Sequence, residues 1–96
     1  MVGVSKIEME IMDSNSLKDK RKVLKSLKDR LKNRFNVSVF ETSLQDNRRK
    51  AELEVAVASD KETGAERVLQ EIRKYIEIDG KTEILNLNNY FFYCKE

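Results

Sequence analysis

The hydrophobic period of this chain switches from two to about 3.6 and back, twice over, and this limits its possible folds more than any other feature. Ile7, Met9 and Ile11 alternate with Glu8 and Glu10, as in a strand with one face on a core. Val2 and Val4 fall on the opposite parity, so either a bulge intervenes or those valines lie outside. Asp13-Ser14-Asn15 is turn chemistry. Ser16 with Asp19 resembles a capping box, whose hydroxyl and carboxylate meet free amide donors of a first helical turn. Leu17, Leu24, Leu27, Leu31 and Phe35 then lie within an arc of about 80°, with Val23 at its edge. That stripe predicts a helix packed on a sheet and ending near Arg34.

The second half repeats the pattern. From Asn36, Val37 and Val39 alternate with Ser38, Phe40 and Thr42, and Gln45 to Arg49 is a polar connection. Ala51, Leu53, Val55 and Val57 alternate with Glu52, Glu54, Ala56 and Ala58. Ser59 with Glu62 forms a second capping-box pair before Ala65, Val68, Leu69, Ile72 and Ile76 at helical spacing. Asp79-Gly80 ends that helix, since Gly takes the left-handed conformation of a helix stop. In the last extended segment, Leu85, Leu87, Phe91 and Tyr93 share one parity, and Tyr90, Phe92 and Cys94 the other. The Asn86, Asn88, Asn89 cluster is a point where this segment would split into two strands. The order β-α-β-β-α-β predicts one α+β domain over residues 1–96, a ferredoxin-like sandwich of an antiparallel sheet with two helices on one face. The other sheet face is left to solvent or a partner.

Charge is distributed unevenly over this plan. Between Ser16 and Arg34 nine Lys or Arg meet two Asp, a local net of +7 in a chain whose total is +2. The remainder is therefore acidic, and the molecule is polarised. Charged residues make up 38% of the chain, but both signs alternate, and 40% hydrophobic residues suffice for a modest core. The abundance of Lys and Glu resembles a thermophile's, which seven Asn counter. The N-terminus lacks the zones of a signal peptide, and no apolar run nears the roughly 20 residues of a membrane span. Cys94 is the one cysteine, so no intramolecular disulfide forms, which suits a reducing cytosol. A cytoplasmic protein without a membrane segment is expected.

The block SLKDKRKVLKSLKDRLKNRFNVSV (Ser16 to Val39) closely resembles the signature of the YlxP-like family of small bacterial proteins. Glu41, Gln45-Asp46 and AELEVAVAS (Ala51 to Ser59) match it at the same spacing, and the opening GVSKIEMEI more loosely. NLNNYFFYCKE is outside the match. The resemblance implies a ferredoxin-like fold and no assigned biochemical role. Genes of the family often lie beside those for translation initiation and ribosome maturation factors, which implies a ribosome link by association. Members often carry Trp after the Gln-Asp pair; here Asn47 and Arg48 follow, and Arg48-Arg49-Lys50 makes the connection basic.

With the apolar stripe inward, Lys18, Lys22, Lys25 and Lys32 lie together on the far side of the first helix. Arg21 and Lys28 flank them on one side, Arg30 and Arg34 on the other. Asp19 and Asp29 can serve few of these cations, and the rest repel one another unless an anion relieves them. A basic stripe without a base-reading element fits structured RNA held by shape and backbone. The alternative is a solvated, solubilising face.

The open sheet face argues against RNA on that side. Its outward positions on the two central strands are Glu8, Glu10, Glu52 and Glu54, where RNA-recognition motifs carry aromatics. Four carboxylates also raise a divalent metal site, which is not favoured because hard cations generally use loop carbonyls as well. Phe40, Ala56, Ala58 and Tyr90 or Phe92 would form an apolar patch on that face and mark an interface, unless the aromatics fold inward.

Catalysis is not expected. There is no His, the glycines at 3, 64 and 80 form no phosphate loop, and nothing near Cys94 activates its thiol. The acylphosphatase-type anion loop after the first strand would here be Asp13-Ser14-Asn15, without Arg. The expected function is a non-enzymatic factor, free of cofactor and metal, that binds RNA or the ribosome through Lys18, Arg21, Lys22, Lys25, Lys28, Arg30 and Lys32, extended by Arg48, Arg49 and Lys50. The alternative is a protein-interaction module that homodimerises or meets a partner through the open sheet face or an edge strand, using Phe40, Tyr90 and Phe92.

Overall fold

The computed structural model describes residues 1–93; Cys94, and with it the expectation for its thiol, lies outside them. The elements follow the expected order: β1 (Val2–Ile11), α1 (Leu17–Arg34), β2 (Ser38–Ser43), β3 (Lys50–Ala58), α2 (Glu62–Asp79) and β4 (Thr82–Phe92). The strands form one antiparallel sheet in the order β2-β3-β1-β4. Both helices cover the same face. Leu24, Leu27 and Leu31 of α1 and Ala65, Leu69, Ile72 and Ile76 of α2 share a core with Ile7, Met9, Leu53 and Val55 of the sheet. Helix α1 packs against β2, and α2 against β1 and β4.

Strand β1 buries every second residue from Gly3 to Ile11, so Val2 and Val4 lie on the outer face and no bulge interrupts the strand. Close packing favours the glycine: a Cβ on Gly3 would stand 3.0 Å from Ala65 Cβ and 3.3 Å from Leu69 Cδ1.

Two expectations are corrected. Strand β4 is continuous through its Asn cluster, but its pairing with β1 shifts between Glu8, opposite Asn86, and Met9, opposite Ile84. Leu85 is the extra residue of this bulge. It turns outward, 43% exposed, whereas Ile84, Leu87 and Phe91 pack against the core. A bulge reverses the parity that alternation predicts.

The second capping box does not form. The N-cap of α2 is Lys61, which has no side-chain cap. Ser59 N–H is held by the carbonyl of Met1 at 3.0 Å, continuing the sheet. The chain therefore leaves the sheet at Ser59, and its hydroxyl accepts from Lys61 N at 3.3 Å instead of capping the helix. The first capping pair forms in part: Ser16 Oγ accepts from Asp19 N at 3.1 Å, but the Asp19 carboxylate accepts from Asn15 N at 3.4 Å, one residue before the N-cap, not from the helical turn. Gly80 ends α2 as expected, with φ 72°.

Candidate nucleic-acid interface

Lys20 occupies a place that its charge conceals. It sits four, seven and eleven residues before Leu24, Leu27 and Leu31, on the apolar stripe, and its side chain is 1% exposed. Its ammonium donates to the carbonyls of Leu44 at 2.6 Å and Asn47 at 2.8 Å. Glu41 Oε2 lies 3.2 Å from Nζ, an ion pair without hydrogen-bond geometry, so this oxygen has no directed partner. Leu44 holds a left-handed backbone, φ 64°, which costs a non-glycine residue about 1–3 kcal/mol and persists only where its surroundings fix it. Lys20 supplies such a restraint. The buried cation thus latches the β2–β3 connection onto the first turns of α1.

Other bonds place this connection further. Ser14 Oγ donates to the carbonyl of Arg48 at 2.8 Å, and Ile11 N to that of Arg49 at 2.6 Å. Arg48 and Arg49 therefore lie beside the start of α1. Arg49 lines a depression with Glu10, Asp13, Ser14 and Asn15, so the turn after β1 does have an Arg neighbour, in a depression that two carboxylates also line. Lys50 departs from the group: it pairs opposite Glu10, on the outward parity of β3.

Along α1 the cations divide into two sets. Lys18, Arg21, Lys22, Lys25 and Lys32 are exposed and Lys28 is half-buried. Only Lys25 of this group has an ionic partner among the described residues, Asp29 at 3.1 Å, and both are solvated; such a pair contributes a few tenths of a kcal/mol, roughly. From Lys18 to Lys32 this face is about 21 Å long at the helical rise. Arg30 and Arg34 belong instead to the seam between the helices. Arg30 donates to Asp79 Oδ1 at 2.6 Å, and its guanidinium lies 5.8 Å from the Tyr75 ring centroid. The Asp79 hydrogen bond raises the Arg30 pKa against the opposing effect of burial. Arg34 stacks 5.2 Å from the same ring, and Phe35 meets it edge-on at 6.3 Å. Sequence spacing puts Arg30 at the rim of the basic face; the structure turns it toward α2.

The outer sheet face has an acidic and an apolar end. Glu8 lies opposite Glu52, and Lys6 opposite Glu54. Lys6 Nζ approaches Glu52 at 3.7 Å, and Thr42 Oγ1 donates to the same carboxylate at 3.2 Å. Among the described residues no group of three Cys, Asp or Glu is placed to hold a metal ion. Toward the other end, Val4 is flanked by Ala56 and Tyr90, and Val2 by Ala58 and Phe92. Tyr90 is 47% exposed, Phe92 57% and, across the sheet on β2, Phe40 68%. The aromatics face outward.

The basic helix face and this apolar end lie on opposite sides of the molecule, since the helices cover the inner face alone. No helix among the described residues is long and apolar enough to cross a membrane.

Comparison with known proteins agrees with this architecture. The designed protein Foldit4 superposes with a TM-score of 0.60 at 17% identity, covering 97% of this chain and all of that one. The solution structure of the designed protein LFR1 1, with a ferredoxin fold, gives 0.57 at 16% identity over 97% of this chain and 89% of that one. These likenesses show the fold, which is ferredoxin-like. The uncharacterised protein YlxP of Bacillus subtilis is 36% identical over 77 residues, 80% of this chain and 84% of that one. Residues 2–89 match the family described as protein of unknown function, DUF503. The chain therefore belongs to the DUF503 family, as a homologue of YlxP.

Proposed function

We propose that this protein is a non-enzymatic factor that docks structured RNA, with ribosomal RNA the first candidate, through the outer face of α1. Lys18, Arg21, Lys22, Lys25, Lys28 and Lys32 bind phosphates, and Arg48 and Arg49 extend the surface at its N-terminal end. One observation carries this reading: six cations share one helix face whose ion pairing, among the described residues, is limited to Lys25–Asp29. Their mutual repulsion is relieved by a polyanion, and the rigid helix holds them in a row. The latch at Lys20 ties the β2–β3 connection, which carries these arginines, to the start of α1. The acidic end of the outer sheet face repels phosphate and leaves the helix side as the docking side. With no base-reading element, recognition is of shape and backbone.

The test is binding to ribosomal subunits and to a folded RNA, comparing the wild type with Lys22→Glu/Lys25→Glu. Both positions are exposed, so the fold is retained. Removing two phosphate-binding cations and placing two carboxylates against the RNA backbone should weaken binding by about tenfold or more at low salt. Unchanged affinity would remove α1 from the interface. The outward aromatics Phe40, Tyr90 and Phe92 favour a second use of the molecule, assembly through its sheet, which leaves the basic face free.

A further inference from the structure

The two edges of the sheet are built differently. Strand β2 is six residues long, its pairing shifts between Glu41 and Ser43, and Glu41 points inward to the Lys20 ammonium. A short strand, a bulge and an inward charge are the usual protections of an edge against pairing. Strand β4 has eleven residues, and its single bulge at Leu85 leaves the stretch from Asn86 to Phe92 regular. From Ile84 to Cys94 the sequence carries no charge, the longest such run in a chain that is 38% charged. Tyr90 and Phe92 stand half-exposed along this edge, next to the apolar end of the outer face. An unprotected edge of this length is a template for another strand.

We infer that β4 pairs antiparallel with β4 of a second copy, joining two four-stranded sheets into one of eight strands. The absence of charge identifies the occupant. About a two-fold axis the strand meets itself, so any Lys or Glu near the axis would face its own copy and repel it. Asn is both donor and acceptor, and Asn86 and Asn88 are therefore complementary to themselves. A charged peptide from another protein would find no counter-charge between Ile84 and Tyr93. With the axis at Leu87, Asn86 of each copy lies opposite Asn88 of the other, and Tyr90 and Phe92 lie toward the two ends of the paired strands. The two α1 faces would then point the same way, about 30 Å apart at the usual strand spacing. That bivalent arrangement bears on RNA only if the proposal above holds; the dimer itself does not depend on it.

Sedimentation equilibrium of the full chain over a range of concentrations tests the pairing without RNA. The wild type should reach twice the 11.2 kDa protomer mass, with hydrogen exchange of the β4 amides slowing as the dimer forms. Asn86 and Asn88 are exposed, so Asn86→Lys/Asn88→Lys should keep its circular dichroism spectrum and remain monomeric. Phe40→Lys, on the far edge, should still dimerise. A wild type that stays monomeric at every concentration overturns the inference, as does a dimer that survives Asn86→Lys/Asn88→Lys. In the latter case, loss of that dimer with Phe40→Lys identifies stacking of sheet faces instead.

Discussion

Replacing Lys20 by Met separates the buried lysine from its exposed neighbours more sharply than any other change. Methionine keeps the length of the apolar stem among Leu24 and the core, but removes the charge. Three consequences follow from the geometry. The Leu44 and Asn47 carbonyls lose donors at 2.6 and 2.8 Å, the Glu41 carboxylate loses its ionic partner, and the φ 64° backbone at Leu44 loses a restraint. Breaking a fully buried ion pair costs about 3–5 kcal/mol. Glu41 is 18% exposed and the connection borders solvent, so water recovers part of this. The net expectation is a loss of about 2–4 kcal/mol, a large share of the roughly 5–15 kcal/mol of a typical domain. Urea unfolding followed by circular dichroism should show the midpoint falling by on the order of 2 M. Lys22→Met, on the exposed face, should stay within about 0.5 kcal/mol of wild type. Lys20→Met/Glu41→Leu should recover about 1–2 kcal/mol of the loss by removing the orphaned charge. A Lys20→Met protein as stable as Lys22→Met would refute the latch.

Other substitutions probe the core and the surface. Ser5 is fully buried and its hydroxyl lacks a partner, so Ser5→Ala should raise stability by about 1 kcal/mol, read as a higher urea midpoint. Gly3→Ala places a Cβ 3.0 Å from Ala65 Cβ; overpacking of about 1–3 kcal/mol should outweigh the roughly 0.4–1 kcal/mol gained from a stiffer unfolded chain, lowering the thermal midpoint. The Tyr93 hydroxyl donates to Glu62 at 3.0 Å, and this bond raises its pKa above that of an ordinary tyrosine. A group with a raised folded pKa adds stability below its unfolded pKa and loses it as pH climbs through the folded value. The bond should accordingly persist through neutral pH and fail only in alkali, and Glu62→Gln should return one phenol toward the ordinary range in a tyrosinate titration.

The element order is legible because helices and strands impose different periods, and both periods are clean here. Ile7, Met9 and Ile11 on β1 and Leu24, Leu27 and Leu31 on α1 are buried as their spacing requires. Sequence reasoning misses what depends on packing between elements. Lys20 passes for one more surface cation because lysine is almost never fully buried without a partner, and that partner, Glu41, lies on another element. Its position on the leucine stripe is the available signal. Arg30 is misplaced for the same reason, since Asp79 is 49 residues away. The outward turn of Leu85 depends on a bulge that alternation does not encode, and the Ser59–Met1 backbone bond that displaces the second cap depends on sheet pairing.

Contact between the α1 cations and phosphate is read by co-sedimentation with ribosomal subunits across a salt series, for the wild type and Lys22→Glu/Lys25→Glu. With about four to six phosphates neutralised, at a slope of about 0.7–0.9 each, the logarithm of the wild-type affinity should fall against log salt with a slope of about −3 to −5. The variant should bind more weakly and with a slope shallower by about 2. Absence of binding at low salt, or equal affinity and slope for the two proteins, would contradict this contact.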